Sequence, residues 1–294
     1  MKLGSLCAAP CFPEAPMFDI AAPGCGANDL KFGTAQGRDY YAVLLRNHDL
    51  TTAERFDPRV AIVGLSPAGN QIAEFVSAYR STRDYGSASI AGAFAGLSRD
   101  IIAMMNGLGL SAKLGMSLTP QTSFARHPDF YVTSLIACAS LTTSGSSTDF
   151  DPRQFDAARR CMTERFLGEM LNPAFTRLSH VVILGSKGWK AVNTVHGPSG
   201  KLVHRSLTDA GKHLVNLPHP SGANQEYVKL ASLSASAFPD QHRYADEMWC
   251  SYRDKPLKDG KLRMSDAQYR AKRLTVWSGV NALRQQIAAM EPVA

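Results

Sequence analysis

Apolar positions in this chain fall into two kinds of run, and their alternation is its strongest structural signal. Short β-branched runs occupy residues 59–64, 130–136, 180–185 and 213–217, each bounded by Gly, Pro or polar residues. That pattern predicts buried strands. Residues 201–205 read as a further, weaker strand. Between the runs the period changes to that of helices. Ile72, Phe75, Val76 and Tyr79 share a face over residues 70–80. Ile90, Phe94, Leu97, Ile101, Met104 and Met105 form a longer stripe over 89–110, after a polar break at 81–89. Tyr41, Leu44 and Leu45 suggest a helix over 38–50.

A helix with a clear start follows residues 140–148, which read as a Ser/Thr/Gly loop. Asp151 can cap it, Pro152 suits its first position, and Gln154 stands where a capping box needs it. Its apolar face is Phe155, Ala158, Met162, Phe166 and Met170, and Asn172-Pro173 ends it. Gly185-Ser186 opens a short helix, and another runs to about residue 235. Ser265 and Gln268 form a second capping box ahead of Tyr269, Val276, Val280, Leu283 and Ile287. Strands alternating with helices predict an α/β fold, a three-layer α/β/α arrangement around a mostly parallel sheet.

Charge changes the picture next. The chain of 294 residues carries a formal charge of +7 and a pI near 9.1, which favours an acidic partner, nucleic acid first. The stretch 251–285 holds nine Lys/Arg against three Asp; it reads as a surface helix or as an added DNA-contacting flank. No apolar run approaches the ~20 residues of a membrane span. The first sixteen residues are too interrupted for a signal-peptide core, and the six cysteines do not make a dense disulfide framework. The expectation is a cytoplasmic protein with access to the nucleoid, and a monomer.

Three strand ends carry candidate chemistry, in order: Gly64-Leu65-Ser66-Pro67-Ala68, Leu184-Gly185-Ser186 and His219-Pro220-Ser221. In open α/β sheets ligands bind beyond the carboxyl ends of strands. This ordered set resembles the uracil-DNA glycosylase superfamily over residues 59–235. The resemblance implies a single domain over 1–294. Its core would be about 38–235, with an irregular arm at 1–37 and a basic helical extension at 236–294. By resemblance Leu65, Ser66 and Ala68 line the pocket of an extruded base, with Asn70 and Gln71 as nearby amides. His219 donates to the pyrimidine carbonyl as charge builds on the leaving base. Ser186 and Ser221 hold DNA phosphates, and Gly222, Ala223 and Asn224 stand where some members place a bulky wedge.

The sequence departs from that family where water is activated. Ser66 and Leu65 occupy places that hold Asp, Asn or Glu in other members. Asp84, in Arg83-Asp84-Tyr85-Gly86, lies where one branch keeps an aspartate, and it equally suits a helix cap. Ser134 replaces the base-reading asparagine and cannot offer an amide's donor-acceptor pair, which implies looser base selectivity. Tyr85 or Phe75 would be the stacking ring, or a core aromatic. Cys7, Cys11, Cys138 and Cys161 could in principle match the [4Fe–4S] ligands of some branches, but their spacing is poor and no cofactor is expected.

The activity expected from the resemblance is monofunctional excision of uracil or other deaminated bases in base excision repair. The alternative is an inactive relative that binds damaged or single-stranded DNA. Hydrolysis of a free nucleoside fits the basic charge less well.

Overall fold

The structure, a computed structural model, describes residues 31–35, 38–41, 45, 56–137, 139–142, 151–154, 156–221, 224–254 and 264–292. The strands are β1 (Lys31–Ala35), β2 (Arg38–Tyr41), β3 (Val60–Gly64), β4 (Phe130–Ser134), β5 (Ala139–Thr142), β6 (His180–Leu184) and β7 (His213–Leu217). The α-helices begin with α1 (Gly69–Thr82), α2 (Tyr85–Gly92), α3 (Ser98–Gly107) and α4 (Leu110–Lys113). Next come α5 (Asp156–Arg160), α6 (Leu167–Met170), α7 (Ser186–Val192) and α8 (Val203–Asp209). The last three are α9 (Gln225–Ala231), α10 (Gln241–Arg253) and α11 (Asp266–Ala288).

The described chain folds as two compact units, residues 1–96 with 123–217, and 97–122 with 218–294. The first holds a four-stranded, all-parallel sheet in the order β4-β3-β6-β7. Every residue of β3, β4 and β6 is buried, as expected of strands covered on both faces. Ala61, Val63, Tyr131, Val181 and Ile183 point into one core with Met162, Phe166, Leu167 and Met170 and with Val203 and Leu207 of α8. Each such side chain contributes about 1.5–3 kcal/mol relative to exposure. Val60, Ile62, Phe130, Val132 and Val182 alternate with them and are buried on the opposite face. The result is the three-layer α/β/α architecture that the alternation predicts. A smaller antiparallel sheet, β1-β2-β5, completes this unit.

The second unit is helical. Its seam on α11 is Tyr269, Val276, Val280, Leu283 and Ile287, all buried, and Ser265 and Gln268 form the predicted capping box. Arg284 donates to the Gly107 and Leu233 carbonyls, and Lys113 to those of Ala288 and Met290 at 2.9 and 2.7 Å. α3 and α9 meet at the backbone: a Cβ on Gly107 would stand 2.4 Å from the carbonyl carbon of Ser232.

Several local expectations change. Residues 38–41 are a strand, because backbone partners on both sides outweigh a weak helical period. Residues 139–142 form β5 rather than loop, while 143–150 lie outside the described residues. The polar break at 81–89 instead starts α2, with the Asp84 carboxylate accepting from Ser87 N–H. The long helix over 89–110 is broken where Phe94 and Gly96 take φ of 54° and 74°, a left-handed turn that ends helices. Val203 opens α8, so 201–205 is no strand. α9 ends at Ala231. Asp151 grips Arg153 and leads into a short 3-10 turn at Pro152–Gln154. The helix beyond it widens into a π turn over Cys161–Phe166.

Candidate active site

The sheet topology has a switch point between β3 and β6. From β3 the chain crosses to β4 on one side, and from β6 it proceeds to β7 on the other. Ligands of open parallel sheets bind at such a switch, beyond the carboxyl ends of the two strands. The turns there are Gly64–Ala68 after β3 and Gly185-Ser186 after β6.

The first turn is fixed on two sides. Leu135 and Ile136, just past β4, donate their N–H groups to the Gly64 and Leu65 carbonyls at 2.8 and 2.9 Å. From α1, the buried Gln71 accepts from Ala68 N–H at 2.9 Å and donates to the Gly92 carbonyl at 3.3 Å. Gln71 therefore clamps the turn to the end of α2. Leu65, Ser66 and Ala68 remain half-exposed and Asn70 is exposed at the start of α1. Ser134 lies opposite Gly64 in the β3–β4 register. A Cβ on Gly64 would stand 3.5 Å from the Ser134 hydroxyl and 3.5 Å from Cε1 of Phe94.

Phe94 is the aromatic that sequence reasoning missed. The helical stripe over 89–110 absorbed it, and only the Gly96 that follows it hinted at a turn. Phe75, one of the two rings expected to stack, is fully buried and stacked on Tyr79 at 6.4 Å. The Tyr85 side chain lies outside the described residues.

A polar hub supports the same turn from below. Arg165, on the π turn, pairs with Glu169 at 2.7 Å and donates to the Ser134 carbonyl and, at 3.0 Å, to that of Leu135. Thr133 donates to Glu169 at 3.1 Å. Burial alone would favour the neutral guanidine, but Glu169 and the Cys161 sulfur outweigh it and hold Arg165 charged. An i,i+4 Arg-Glu pair within the apolar stretch 161–170 was the available signal.

That hub also bears on the cysteines. The buried Cys161 sulfur accepts from Ala137 N–H and from Arg165 Nε, both at 3.3 Å. A cluster needs four convergent thiolates. Of the four candidate ligands only Cys161 is described; Cys7, Cys11 and Cys138 lie outside the described residues. Among them, no cluster of three or more His, Cys, Asp or Glu could hold a metal ion.

Asp84 is exposed, and its carboxylate caps α2 by accepting from Ser87 N–H at 2.6 Å. Hydrogen bonds from Ser87 hold its carboxyl below the usual range. Ser186 is exposed as the first residue of α7. Gly185 ahead of it has φ 86° and donates to the Leu217 carbonyl at 2.8 Å.

In the second unit, Pro218 and Pro220 bracket His219. Pro220 is buried and His219 half-buried. Burial pushes the His219 imidazole below its ordinary value, favouring the neutral form. Ser221 N–H donates to the His219 carbonyl at 2.8 Å, and Asn224 N–H to that of Ser221 at 2.9 Å. The Asn224 amide also donates to the Ser221 hydroxyl at 3.2 Å. Gly222 and Ala223, expected at the wedge position, lie outside the described residues.

The described chain combines a parallel sheet with a Gly-x-x-Pro turn at the end of β3 and a His-Pro-Ser turn following β7. The family model of the uracil DNA glycosylase superfamily matches residues 52–249, more than half of the chain, and the protein belongs to that superfamily. Membership carries a DNA glycosylase-type role and DNA as substrate. No curated protein sequence matches the chain. No helix among the described residues is long and apolar enough to cross a membrane.

Proposed function

We propose that the protein is a monofunctional DNA glycosylase that extrudes uracil or another deaminated base and hydrolyses its N-glycosidic bond. The observation that carries this reading is the end of β3, where buried Gly64, Phe94 and Ser134 meet beside the half-exposed Leu65, Ser66 and Ala68. A flat base can lie against such a surface, and Phe94 gives it a π-face.

The chemistry assigns the groups. As the bond between sugar and base breaks, its electron pair goes to the base and negative charge grows on the base carbonyl. A preorganised donor at that oxygen is worth several kcal/mol of barrier. His219, neutral and held between two prolines, supplies that N–H. Water then adds to the electron-poor sugar carbon and loses its proton to solvent. Ser66 and Asn70 are the groups this reading assigns to orient that water, and neither carries a charge, so the sugar cation receives less help than a carboxylate gives. Asp84 serves the fold as a helix cap. Ser134 offers one hydroxyl to the base edge, which suits a tolerant enzyme. Ser186, Ser221 and Asn224 hold the flanking phosphates, offsetting the few kcal/mol that unstacking a base requires.

The experiment is excision from duplexes carrying a single uracil, hypoxanthine or xanthine, followed by alkali. Strand breaks that appear only after alkali, and vanish in His219→Ala, support the reading. DNA binding without abasic product from any of the three would leave a binding protein, which the uncharged Ser66 and Ser134 would then explain.

A further inference from the structure

The helix α11 lies entirely beyond the segment that the family model matches, residues 52–249. It nevertheless reaches the residues that follow the His219 turn. Glu226, in the first turn of α9, pairs through Oε2 with Arg273 of α11, while its Oε1 accepts from the Tyr244 hydroxyl of α10. Both members of the ion pair are largely withdrawn from solvent, at 14% exposure for Arg273 and 22% for Glu226. Arg273 also lies over the Tyr269 ring at 4.6 Å, and its buried Nε finds no partner. A guanidinium desolvated this far is held in place mainly by its carboxylate. One residue earlier, Gln225 donates to Asp100 of α3 at 3.3 Å.

We infer that Arg273 and Tyr244 are positioning residues, which fix the start of α9 through Glu226 and thereby set the His219-Pro220-Ser221 turn. Asn224 is the link: its N–H and its side chain both bond Ser221, and it immediately precedes the anchored pair Gln225-Glu226. A donor aimed at a developing charge loses force steeply with displacement, so an anchor seven residues from an imidazole acts on rate more than on binding. Other members of the family need not share this device, because α11 is outside the matched segment. The catalytic part of the inference rests on the glycosylase reading; the structural part does not.

Two measurements on the full chain separate those parts. Arg273→Met and Glu226→Gln are compared with Arg243→Met, which removes an exposed ion pair to Glu247 on α10. Hydrogen exchange of the Ser221 and Asn224 amides should quicken about tenfold in the first two variants and stay unchanged in the control. Single-turnover base release should fall about tenfold in each, with DNA affinity, which Ser221 and Asn224 share in, falling by less. The double variant should be no slower than the worse single one, as for coupled partners. Unchanged exchange at Ser221 and Asn224 overturns the anchor whatever the activity. Quickened exchange with undiminished base release overturns its catalytic role. If the unaltered protein releases no base, the glycosylase reading fails by itself, and the exchange result alone decides the anchor. Arg273→Lys keeps the charge and should restore part of the protection, which loss of packing alone would not explain.

Discussion

The ring of Phe94 stands 3.5 Å from the point where a side-chain carbon on Gly64 would be. Gly64 has no positive φ among the described glycines, and 3.5 Å is ordinary van der Waals contact. The backbone therefore does not require glycine here, and a methyl would sit in ordinary contact with the ring and with the Ser134 hydroxyl. Gly64→Ala should keep the melting temperature within a few degrees while lowering base release about tenfold or more, because the added methyl stands between the strand end and the Phe94 ring. A variant that unfolds, or one that retains full activity, would contradict this account.

Phe94→Ala and Phe94→Leu should weaken capture of the extruded base. Stacking on an aromatic ring is worth about 1–3 kcal/mol per base. The left-handed backbone at Phe94 adds a modest strain that both variants keep. Excision kinetics at low and saturating enzyme should show the loss, with Leu milder than Ala.

The His219 role carries a pH signature. Burial lowers its folded-state value below 6.5, so neutral imidazole persists as pH falls past that point. Base release should stay flat from pH 8 to about 6.5 and decline only below it. An acid limb centred above 6.5 would mean that the protonated ring, or another group, does the work. His219→Ala should lose about a hundredfold or more across the plateau.

Asp84 gives the opposite expectation. Its carboxylate is engaged with Ser87, so Asp84→Asn, which still caps, should change base release less than about threefold. Asp84→Ala should lower stability by about 1 kcal/mol. A large rate loss in Asp84→Asn at unchanged stability would return the water-activating role to this aspartate.

The far end of the sheet makes a prediction about stability alone. His180 is buried, stacks on His213 at 5.1 Å and shares a hydrogen bond with the Ser179 hydroxyl at 2.8 Å. Burial first, then His213 and Arg59, push it down to about 4 from 6.5. The folded state thus binds the proton less well than the unfolded chain. Its stability is intact above 6.5 and is lost as pH falls toward 4. Between pH 7 and pH 5 that loss should be about 2 kcal/mol. Urea midpoints of the protein and of His180→Leu should show the slope in the first and a shallower one in the second.

The central strands and the motifs at their ends were legible because burial on both faces leaves a near-continuous apolar run, and a parallel strand must end in a turn. Ser66, Ser134, Ser186 and His219 could be named from those turns alone. Phe94 could not, because a left-handed residue inside an apolar stripe looks like a helix until the backbone is known. Arg165 was hidden for a related reason: an interior guanidinium is recognised by carbonyls from another strand, and those are distant in sequence. Gln71 and Asp84 were legible as polar groups near the site, but what each one bonds is a tertiary fact.

Gly107 and Ser232 come together at a spacing that excludes even a methyl group, yet 125 peptide bonds separate them along the chain. Residues 97–122 leave the ribosome early and must wait for 218–294 before their unit can close. Until α11 has been made, the His219 turn has no completed scaffold, and a chain cut short before α11 would leave the start of α9 unanchored. The order of synthesis thus places closure of the unit that carries the His219 turn after synthesis of α11.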